Sequence, residues 1–222
     1  MTPADRQAER RTLLLDAAFD ILGTDGWSAL TVRSVFERAR LNPRYFYESF
    51  TDLDGLVVAV YDRVVADLAA EVLTALEASS QDPATQVRAV LERIVAFVDE
   101  DRRRGRVLYV EALGNEALNK RRIEAANAVV VFIERYAAQN NETAAGSDHI
   151  GRVGAAMLVG GFTELLIEWL AGGIPVSREQ LVDDASELFL ALGDAAGAIA
   201  ARRVKKPATR RKAPPRRTRA RA

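Results

Sequence analysis

Apolar residues recur along this chain at the spacing of α-helices rather than of β-strands. No stretch alternates apolar and polar residues for long, whereas apolar positions three and four residues apart occur throughout. The first helix predicted in this way carries its apolar residues at Leu14, Ala17, Ala18, Ile21 and Leu22. The pattern therefore predicts an all-α protein.

Two short helices are predicted directly after the first. The pair Asp25-Gly26 breaks the first helix, and Thr31 is a good N-cap for a second. A tight connection at Arg40-Leu41 follows, and then Asn42 caps a third helix with Pro43 in its first position. Two short helices joined by a few residues, the second one aromatic and basic, are a common means of placing a helix in the major groove of DNA.

The remainder of the chain also has helical periodicity. We predict helices over 52–78, from 83 to the basic run at 102–104, over 105–114, 115–139 and 148–171, and from 178 onward. Residues 140–147 are polar and are predicted to form a loop. Gly154, Gly160 and Gly161 interrupt the apolar face of the helix at 148–171. Each costs about 1 kcal/mol relative to alanine, so the three glycines indicate close approach of a neighbouring backbone.

The net charge of zero conceals a strong asymmetry. The chain has 31 basic and 31 acidic residues, but residues 202–222 hold eleven Lys or Arg and no acid, which leaves 20 bases against 31 acids in 1–201. Prolines and the lack of large apolar residues beyond Val204 predict a disordered basic tail at 202–222. This tail either contacts DNA phosphates, which we favour, or solubilises the chain, or contacts its acidic body.

Composition and motifs argue against several classes of site. The chain has no cysteine, which excludes disulfides, thiolate metal sites and cysteine nucleophiles. Its one histidine, His149, is expected at the surface and not in a metal site. No phosphate-binding glycine loop, nucleophile elbow or paired-carboxylate motif occurs, so we expect neither an enzyme nor a cofactor. The first residues show no signal sequence, and the longest apolar run, 125–133, is too short to cross a bilayer. We therefore expect a cytoplasmic protein without a membrane partner.

Residues 14–61 resemble the DNA-binding domain of the TetR family of bacterial repressors. The resemblance is carried by an alanine pair in the first helix, the cap and small residues of the second, and aromatic residues of the third: Ala17, Ala18, Gly26, Thr31, Val35, Ala39, Asn42, Tyr47, Phe50 and Leu56. It implies a helix-turn-helix DNA-binding domain at 1–51 and a helical effector-binding and dimerisation domain at 52–201.

Three positions depart from the family pattern. Phe36 stands where the family usually has Ala, Arg40 where the turn has Gly, and Leu53 where a Lys usually contacts the DNA backbone. If the turn needs a positive φ at position 40, arginine there costs on the order of 1 kcal/mol relative to glycine. The missing lysine removes one phosphate contact, which Arg40 or Arg44 can replace.

The resemblance implies DNA contacts for residues of the two short helices. Phe46 and Phe50, four residues apart, are expected to face the core. Tyr47 would then bond a phosphate, and Arg44 or Tyr45 would reach base edges. The full set of predicted DNA-binding residues is Thr31, Arg33, Asn42, Arg44, Tyr45 and Tyr47. The alternative is that these are ordinary solvated side chains.

The resemblance also implies a site for a small apolar effector among the C-terminal helices. The residues predicted to line it are aromatic, with one carboxylate: Tyr61, Phe97, Tyr109, Phe132, Phe162, Glu168 and Trp169. Aromatic residues at helical spacing are more often ordinary core. Glu168 can instead face solvent, or an arginine across a dimer.

The last two long helices resemble the pair through which members of this family form homodimers. A dimer would place two helix-turn-helix units on a palindromic operator in double-stranded DNA. The leading interpretation is therefore a repressor that a small apolar ligand releases from DNA. Two alternatives stay open: an architectural DNA-binding protein driven by the basic tail, and a helical carrier or enzyme with a degenerate DNA-binding domain.

Overall fold

The computed structural model describes residues 2–140 and 149–205. These residues form helices and no β-strand: α1 (Pro3–Thr24), α2 (Val32–Ala39), α3 (Pro43–Ser49), α4 (Leu53–Ala78), α5 (Pro83–Glu100), α6 (Arg102–Gly105), α7 (Glu116–Asn140), α8 (Ile150–Leu170) and α9 (Arg178–Lys205). A short 3₁₀ turn at Trp27–Ala29 connects α1 to α2. A π-helical turn at Arg106–Val110 and a 3₁₀ turn at Glu111–Leu113 connect α6 to α7. The all-α prediction is confirmed for this part of the chain.

The first helix starts well before the apolar pattern that predicted it. The Asp5 N–H donates to the Thr2 hydroxyl at 3.1 Å, and the Thr2 N–H donates to the Asp5 carboxylate at 2.6 Å. With Pro3 in the first helical position, this capping box fixes the start of α1. Apolar periodicity did not indicate it, because the turns before Leu14 are polar and largely exposed.

The three N-terminal helices pack around a small apolar core. Leu14 and Leu22 of α1, Val35 of α2 and Phe46 of α3 are all fully buried. Leu56 of α4 belongs to the same core, so apolar packing continues from the first three helices into the fourth. The boundary between residues 51 and 52 stays a prediction.

The segment after α5 differs from the prediction. The sequence pattern carries one helix through the basic run at 102–104 and places another at 105–114. Instead, α5 ends at Glu100, and the Asp101 carboxylate accepts the Arg103 N–H at 3.1 Å to start α6. An aspartate that caps a new helix competes with continuation of the old one, and this competition explains the break.

The C-terminal helices form a second bundle in which α8 and α9 are antiparallel. Phe162 packs edge-to-face against Phe189, with ring centroids 5.5 Å apart. A Cβ added at Gly154 would lie 3.5 Å from the Ala196 Cβ, which is an ordinary van der Waals contact, and none of the described atoms lies within 4 Å of a Cβ added at Gly160 or Gly161. The predicted close approach of a neighbouring backbone is therefore not found within the described residues of this chain. Helix α5 packs on α9, and α7 packs on both α4 and α8.

The start of α9 lies near α6. At the end of α8, the Leu170 carbonyl accepts a hydrogen bond from Arg102 Nη1 of α6 at 3.3 Å. Since α9 is antiparallel to α8, it begins at this end of the bundle and runs away from it. Helix α9 extends to Lys205, so the predicted tail is wrong at 202–205, where cations suit a helix C-terminus. Residues 206–222 lie outside the described residues, as does most of the predicted loop at 140–147.

One helix, α8, is long and apolar enough by length and composition alone to cross a membrane. Glycines interrupt the apolar residues of α8, so the longest apolar run in the sequence is at 125–133. A single helix of this kind is weak support for a membrane span, and here α8 packs on α6, α7 and α9. Only 22% of its apolar window is buried, so much of α8 is left uncovered.

Candidate functional site

The turn between α2 and α3 depends on one residue in the left-handed conformation. Arg40 has φ 55° and ψ 41°, and it is the only non-glycine residue with a positive φ among the described residues. Its N–H donates to the Glu37 carbonyl at 3.2 Å, and the Leu41 N–H donates to the Phe36 carbonyl at 3.0 Å. These bonds close α2 in a geometry that favours glycine, so arginine at position 40 is strained.

We expect Arg40→Gly to stabilise the protein by about 0.5–1 kcal/mol, because glycine adopts this conformation without a clash from Cβ. The same change at Arg135, which is exposed within α7, is expected to destabilise by about 1 kcal/mol, because glycine weakens a helix interior. Urea unfolding of both variants measures the two effects. Shifts of the same sign would show that Arg40 is not strained.

Helix α3 and its C-cap carry aromatic residues on two faces, one buried and one exposed. Phe46 is fully buried and Phe50 is 7% exposed, as their spacing predicts, whereas Tyr47 is 66% exposed. The Phe46 and Tyr47 rings meet edge-to-face with centroids 5.3 Å apart. The helix begins where the Asn42 side-chain oxygen accepts the Arg44 N–H at 3.1 Å. The core therefore fixes α3 with Tyr47 facing solvent.

Two arginines flank the ring of Tyr45 beside the start of α3. The guanidinium of Arg10 lies 4.1 Å from the ring centroid, and that of Arg44 lies 5.1 Å from it. Arg44 Nε also pairs with a Glu48 carboxylate oxygen at 3.2 Å, one turn along the helix. The Tyr45 ring is therefore held partly buried, whereas 70% of the Arg44 side chain is exposed.

Helix α2 packs on α3, and two further predicted residues are exposed at its start. The Thr31 hydroxyl accepts the Ser34 N–H at 3.0 Å as part of a capping box. Arg33 Nε pairs with Glu37 at 2.7 Å, and this hydrogen bond raises the pKa of Arg33. All six predicted DNA-binding residues thus lie on α2, α3 or their caps, and five of them are exposed. Contact with DNA stays a prediction for each.

Arg11 of α1 helps to position α3, and the sequence reasoning did not identify it. Its Nη1 donates to the Ser49 carbonyl at 3.2 Å, and its guanidinium lies 4.3 Å from the Phe50 ring centroid. The bond satisfies a carbonyl at the end of α3, which has no partner within the helix. Arg11 therefore ties the end of α3 to α1. The available signal was the capping pattern at residues 2–5, which places Arg11 inside a helix.

A nearly buried carboxylate joins the N-terminal helices to the segment between α6 and α7. Glu111 is 9% exposed, and its two oxygens accept the Trp27 backbone N–H and Arg106 Nε, each at 2.7 Å. Arg106 Nη1 also donates to the Thr24 carbonyl at 2.6 Å. Gly26, with φ 85°, passes close to this ion pair, where a Cβ would lie 2.6 Å from Arg106 Nη2. The α1–α2 loop is thus fixed to this segment.

A second ionic contact joins the same elements. Arg103 of α6 donates to Asp20 of α1 at 3.1 Å and to the Asp101 carboxylate at 2.7 Å. The hydrogen bond from Arg103 holds the pKa of Asp101 below its ordinary value. Arg38 of α2 also pairs with Asp20. Asp20 therefore receives cations from both α2 and α6.

A cavity of about 330 Å³ lies between α7, α8 and the α6–α7 segment. Its walls combine apolar side chains with a few polar ones: Tyr109, Leu113, Arg122, Ala126, Asn127, Val130, Ala156, Val159, Gly160, Thr163, Glu164 and Ile167. This volume is at the lower end of small-molecule sites. A larger hollow of about 540 Å³ between α1 and α2 is open and lined largely by charged side chains, so it is a poorer candidate.

Of the seven predicted effector residues, only Tyr109 lines this cavity. The other six lie in the apolar core or against it (Tyr61, Phe97, Phe162 and Trp169) or are exposed (Phe132 and Glu168). Their role in ligand binding stays a prediction. The sequence reasoning missed the polar cavity residues Arg122, Asn127 and Thr163, because a polar side chain that faces a cavity has the same helical spacing as one that faces solvent.

Two tyrosines at or near the cavity keep their hydroxyl protons. Burial raises the pKa of Tyr61 to about 12, although the positive charge of Arg122 acts in the opposite direction. Burial also raises the pKa of Tyr109, and the neighbouring Tyr61 adds to this shift. Neither hydroxyl has a hydrogen-bond partner in the described part of the chain. Both groups are therefore available as neutral donors.

An apolar face on α8 and α9 is exposed. Val153 and Met157 of α8 are 50% and 59% exposed, and Leu188 of α9 is 67% exposed. Gly160 and Gly161 on α8 are also exposed, and no atom lies within 4 Å of a Cβ added at either. Exposed apolar side chains beside small residues leave room for another helix to pack closely, which is typical of an interaction surface.

Residues 14–60 match the family model of bacterial regulatory proteins of the tetR family. No curated protein sequence matches the chain. Among solved structures, a TetR-like transcriptional regulator from Rhodococcus sp. RHA1 is 21% identical, with a TM-score of 0.62 over 85% of this chain and 96% of that one. FadR from Bacillus subtilis, solved with stearoyl-CoA, is 14% identical, with a TM-score of 0.69 over 80% of this chain and 96% of that one. At these identities the likeness is one of fold, and it extends over both groups of helices.

Proposed function

The chain belongs to the TetR family of bacterial regulatory proteins, and on that basis we propose that it is a repressor that binds a palindromic operator as a homodimer. A small molecule in the C-terminal domain releases it from DNA. Members of this family are transcriptional regulators that bind DNA, so the proposal assigns the protein to the cytoplasm and gives it no catalytic role.

The outer edge of α3 is the observation that carries this proposal. Arg44 and Tyr47 are three residues apart, so they share one side of the helix, and both are exposed. An arginine can bond the edge of a guanine in the major groove, and a phenol can bond a phosphate. Buried Phe46 holds this edge in a fixed position, as base recognition requires.

The exposed apolar face of α8 and α9 supports dimerisation. A helix-turn-helix protein reads two half-sites about one helical turn of DNA apart, which needs two copies of α3 at a fixed separation. Pairing α8 and α9 with their counterparts in a second chain would cover Val153, Met157 and Leu188. Two-fold symmetry would then match a palindromic operator.

The contacts between α6, α7 and α1 support release by a ligand. Tyr109 lines the cavity and lies in the π-helical turn that begins at Arg106, whose side chain bonds Glu111 and the Thr24 carbonyl. A ligand that shifts this turn would shift the α1–α2 loop with it. The ligand needs only to prefer the conformation that fits DNA less well. The stearoyl-CoA complex of B. subtilis FadR supports a ligand site in this fold, although the cavity here suits a smaller molecule.

A gel-shift experiment with DNA from upstream of the protein's own gene tests the proposal. We expect one retarded complex that survives an excess of unlabelled random DNA, since base contacts add affinity to the phosphate contacts common to all sequences. Size-exclusion chromatography of the same preparation establishes the oligomeric state. A folded dimer that retards no fragment at low salt would refute the proposal.

The position of the C-terminal end of α9 weighs against the architectural alternative. Helix α9 starts near α6 and covers 28 residues, about 42 Å, so Lys205 lies at the end far from α6. Arg221 is 16 residues further along, and fully extended chain covers at most about 58 Å over that distance. About 42 Å of this 58 Å would be needed to return along α9 to the end near α6. This reach supports a repressor whose affinity comes from α3 over an architectural protein driven by its tail, and DNA contact by the tail stays a prediction.

Deleting residues 206–222 is expected to leave operator affinity within about threefold and to keep the sequence preference, because the proposed base contacts of α3 are unchanged and this segment would need most of its length to return along α9. Gel shifts with operator and with random DNA at several salt concentrations measure the affinity and the sequence preference. An architectural protein driven by its tail would lose most of its affinity and much of its salt dependence. A carrier or enzyme would instead show no dependence on operator sequence.

A further inference from the structure

We propose that the cavity between α7 and α8 binds an amphipathic organic anion, and that Arg122 binds its acidic group. This inference rests on the proposed function in taking the cavity as the effector site. It replaces the purely apolar effector of the sequence analysis with an apolar body that carries one negative charge.

Arg122 has an unsatisfied guanidinium. Its Nε is buried and has no acceptor among the described residues. Nη2 donates to the Asn119 side-chain oxygen at 3.1 Å, and Arg122 forms no ion pair within that part of the chain. An arginine that is partly removed from water is costly without an acceptor, and a carboxylate matches its planar fork with two parallel hydrogen bonds. The free positions thus fit a ligand acid.

Arg121, the preceding residue, shows that an arginine on this part of α7 can form ion pairs. Arg121 pairs with Asp62 at 2.5 Å and with Glu124 at 3.2 Å. Asp62 and Glu124 are thus bonded to Arg121, which does not line the cavity. Within residues 2–140 and 149–205, Arg122, the arginine that faces the cavity, has no ion-pair partner.

The other walls fit the remainder of such a ligand. Leu113, Val130, Val159 and Ile167 supply apolar surface, and the Tyr109 hydroxyl is a donor without a partner in the described residues. At about 30 Å³ per water molecule, 330 Å³ corresponds to about ten waters. A ligand of roughly ten to fifteen non-hydrogen atoms therefore fits, such as a medium-chain fatty acid or an arylacetic acid.

An acidic residue in the wall limits the ligand to a single charge. Glu164 of α8 also lines the cavity, and it is exposed. Like charges at close range disfavour each other, so a dianion such as a phosphate ester would be repelled there. When a monoanion binds at Arg122, the site holds one positive charge, that of Arg122, and two negative charges, those of Glu164 and the ligand. A second negative charge on the ligand would therefore be unfavourable.

Isothermal titration calorimetry of the full dimer, without DNA and at neutral pH, tests the inference with two matched pairs of probes. These are octanoate with octan-1-ol, and phenylacetate with phenethyl alcohol. We expect at least one acid to bind roughly ten- to a hundredfold more tightly than its alcohol, as a charge-assisted hydrogen bond predicts. Arg122→Met should abolish that preference without weakening the alcohol, and Arg122→Lys should keep part of it.

Arg121→Gln is the control, because this arginine lies next in sequence but outside the cavity, and it should keep the preference for the acid. Equal affinities of acid and alcohol in both pairs, or a preference that survives in Arg122→Met, would overturn the inference. A protein that retards operator DNA but shows no preference for acids overturns this inference alone. A protein that prefers acids but retards no DNA overturns the proposed function instead.

Discussion

A variant carrying both Met157→Glu and Leu188→Glu is expected to be a monomer and to lose operator affinity by about 10²–10⁴-fold. Both side chains are more than half exposed on α8 and α9 in a single chain, so the changes should leave the protomer folded. In a dimer they would place uncompensated carboxylates within an apolar interface, which costs several kcal/mol. The loss of affinity follows because one recognition helix must then bind without the second held beside it.

Analytical ultracentrifugation and gel shifts measure the two effects of these substitutions. Leu73→Glu is the matched control, because Leu73 is a 52% exposed leucine on α4, which packs mainly on α1, α5 and α7. That variant should remain a dimer with unchanged affinity. If the double variant stays a dimer, the pairing of chains uses another surface, and the proposed operator geometry has to be abandoned.

The double variant Arg44→Ala and Tyr47→Ala is expected to lose operator affinity by about 10²–10³-fold while its stability changes by about 1 kcal/mol or less. Contacts to bases and phosphates each contribute about 1–3 kcal/mol to specific binding. Both side chains are mostly exposed, and the Arg44–Glu48 ion pair at the surface contributes little to folding. Fluorescence anisotropy with labelled operator and urea unfolding separate the two quantities.

Two further variants show whether this loss is specific to α3. Arg135→Ala removes an exposed arginine from α7 and should leave DNA affinity unchanged. Glu48→Gln should raise it, because Glu48 competes with DNA for Arg44 and lies near Arg10 at 3.8 Å. If the α3 double variant binds operator as tightly as the unchanged protein, α3 does not enter the groove.

The sequence predicted the helix-turn-helix because local physical chemistry determines it. Thr31 and Asn42 cap helices through side-chain oxygens, and both caps are present in the structure. The spacing of Phe46 and Phe50 predicted which side of α3 is buried, since side chains four residues apart share a helix face. Even the strain at Arg40 could be anticipated, because the family pattern has glycine at that turn.

The effector site could not be predicted in the same way. The sequence reasoning chose aromatic residues, but six of the seven do not line the cavity, and Arg122 was not considered. Helical periodicity distinguishes buried from exposed positions on one helix, but it does not determine where two helices diverge and leave space between them. Polar residues that face such a space have the same spacing as residues that face water.

The amino-acid sequence by itself determined the helical fold, the two capped helices of the DNA-binding unit and the outward position of Tyr47, because each depends on interactions within a few residues. Tertiary structure alone decided how the α6–α7 segment is joined to the α1–α2 loop through Glu111, which arginine of α7 faces a cavity, and at which end of the bundle α9 ends. These features depend on the packing of residues far apart in the chain, and no local pattern encodes them.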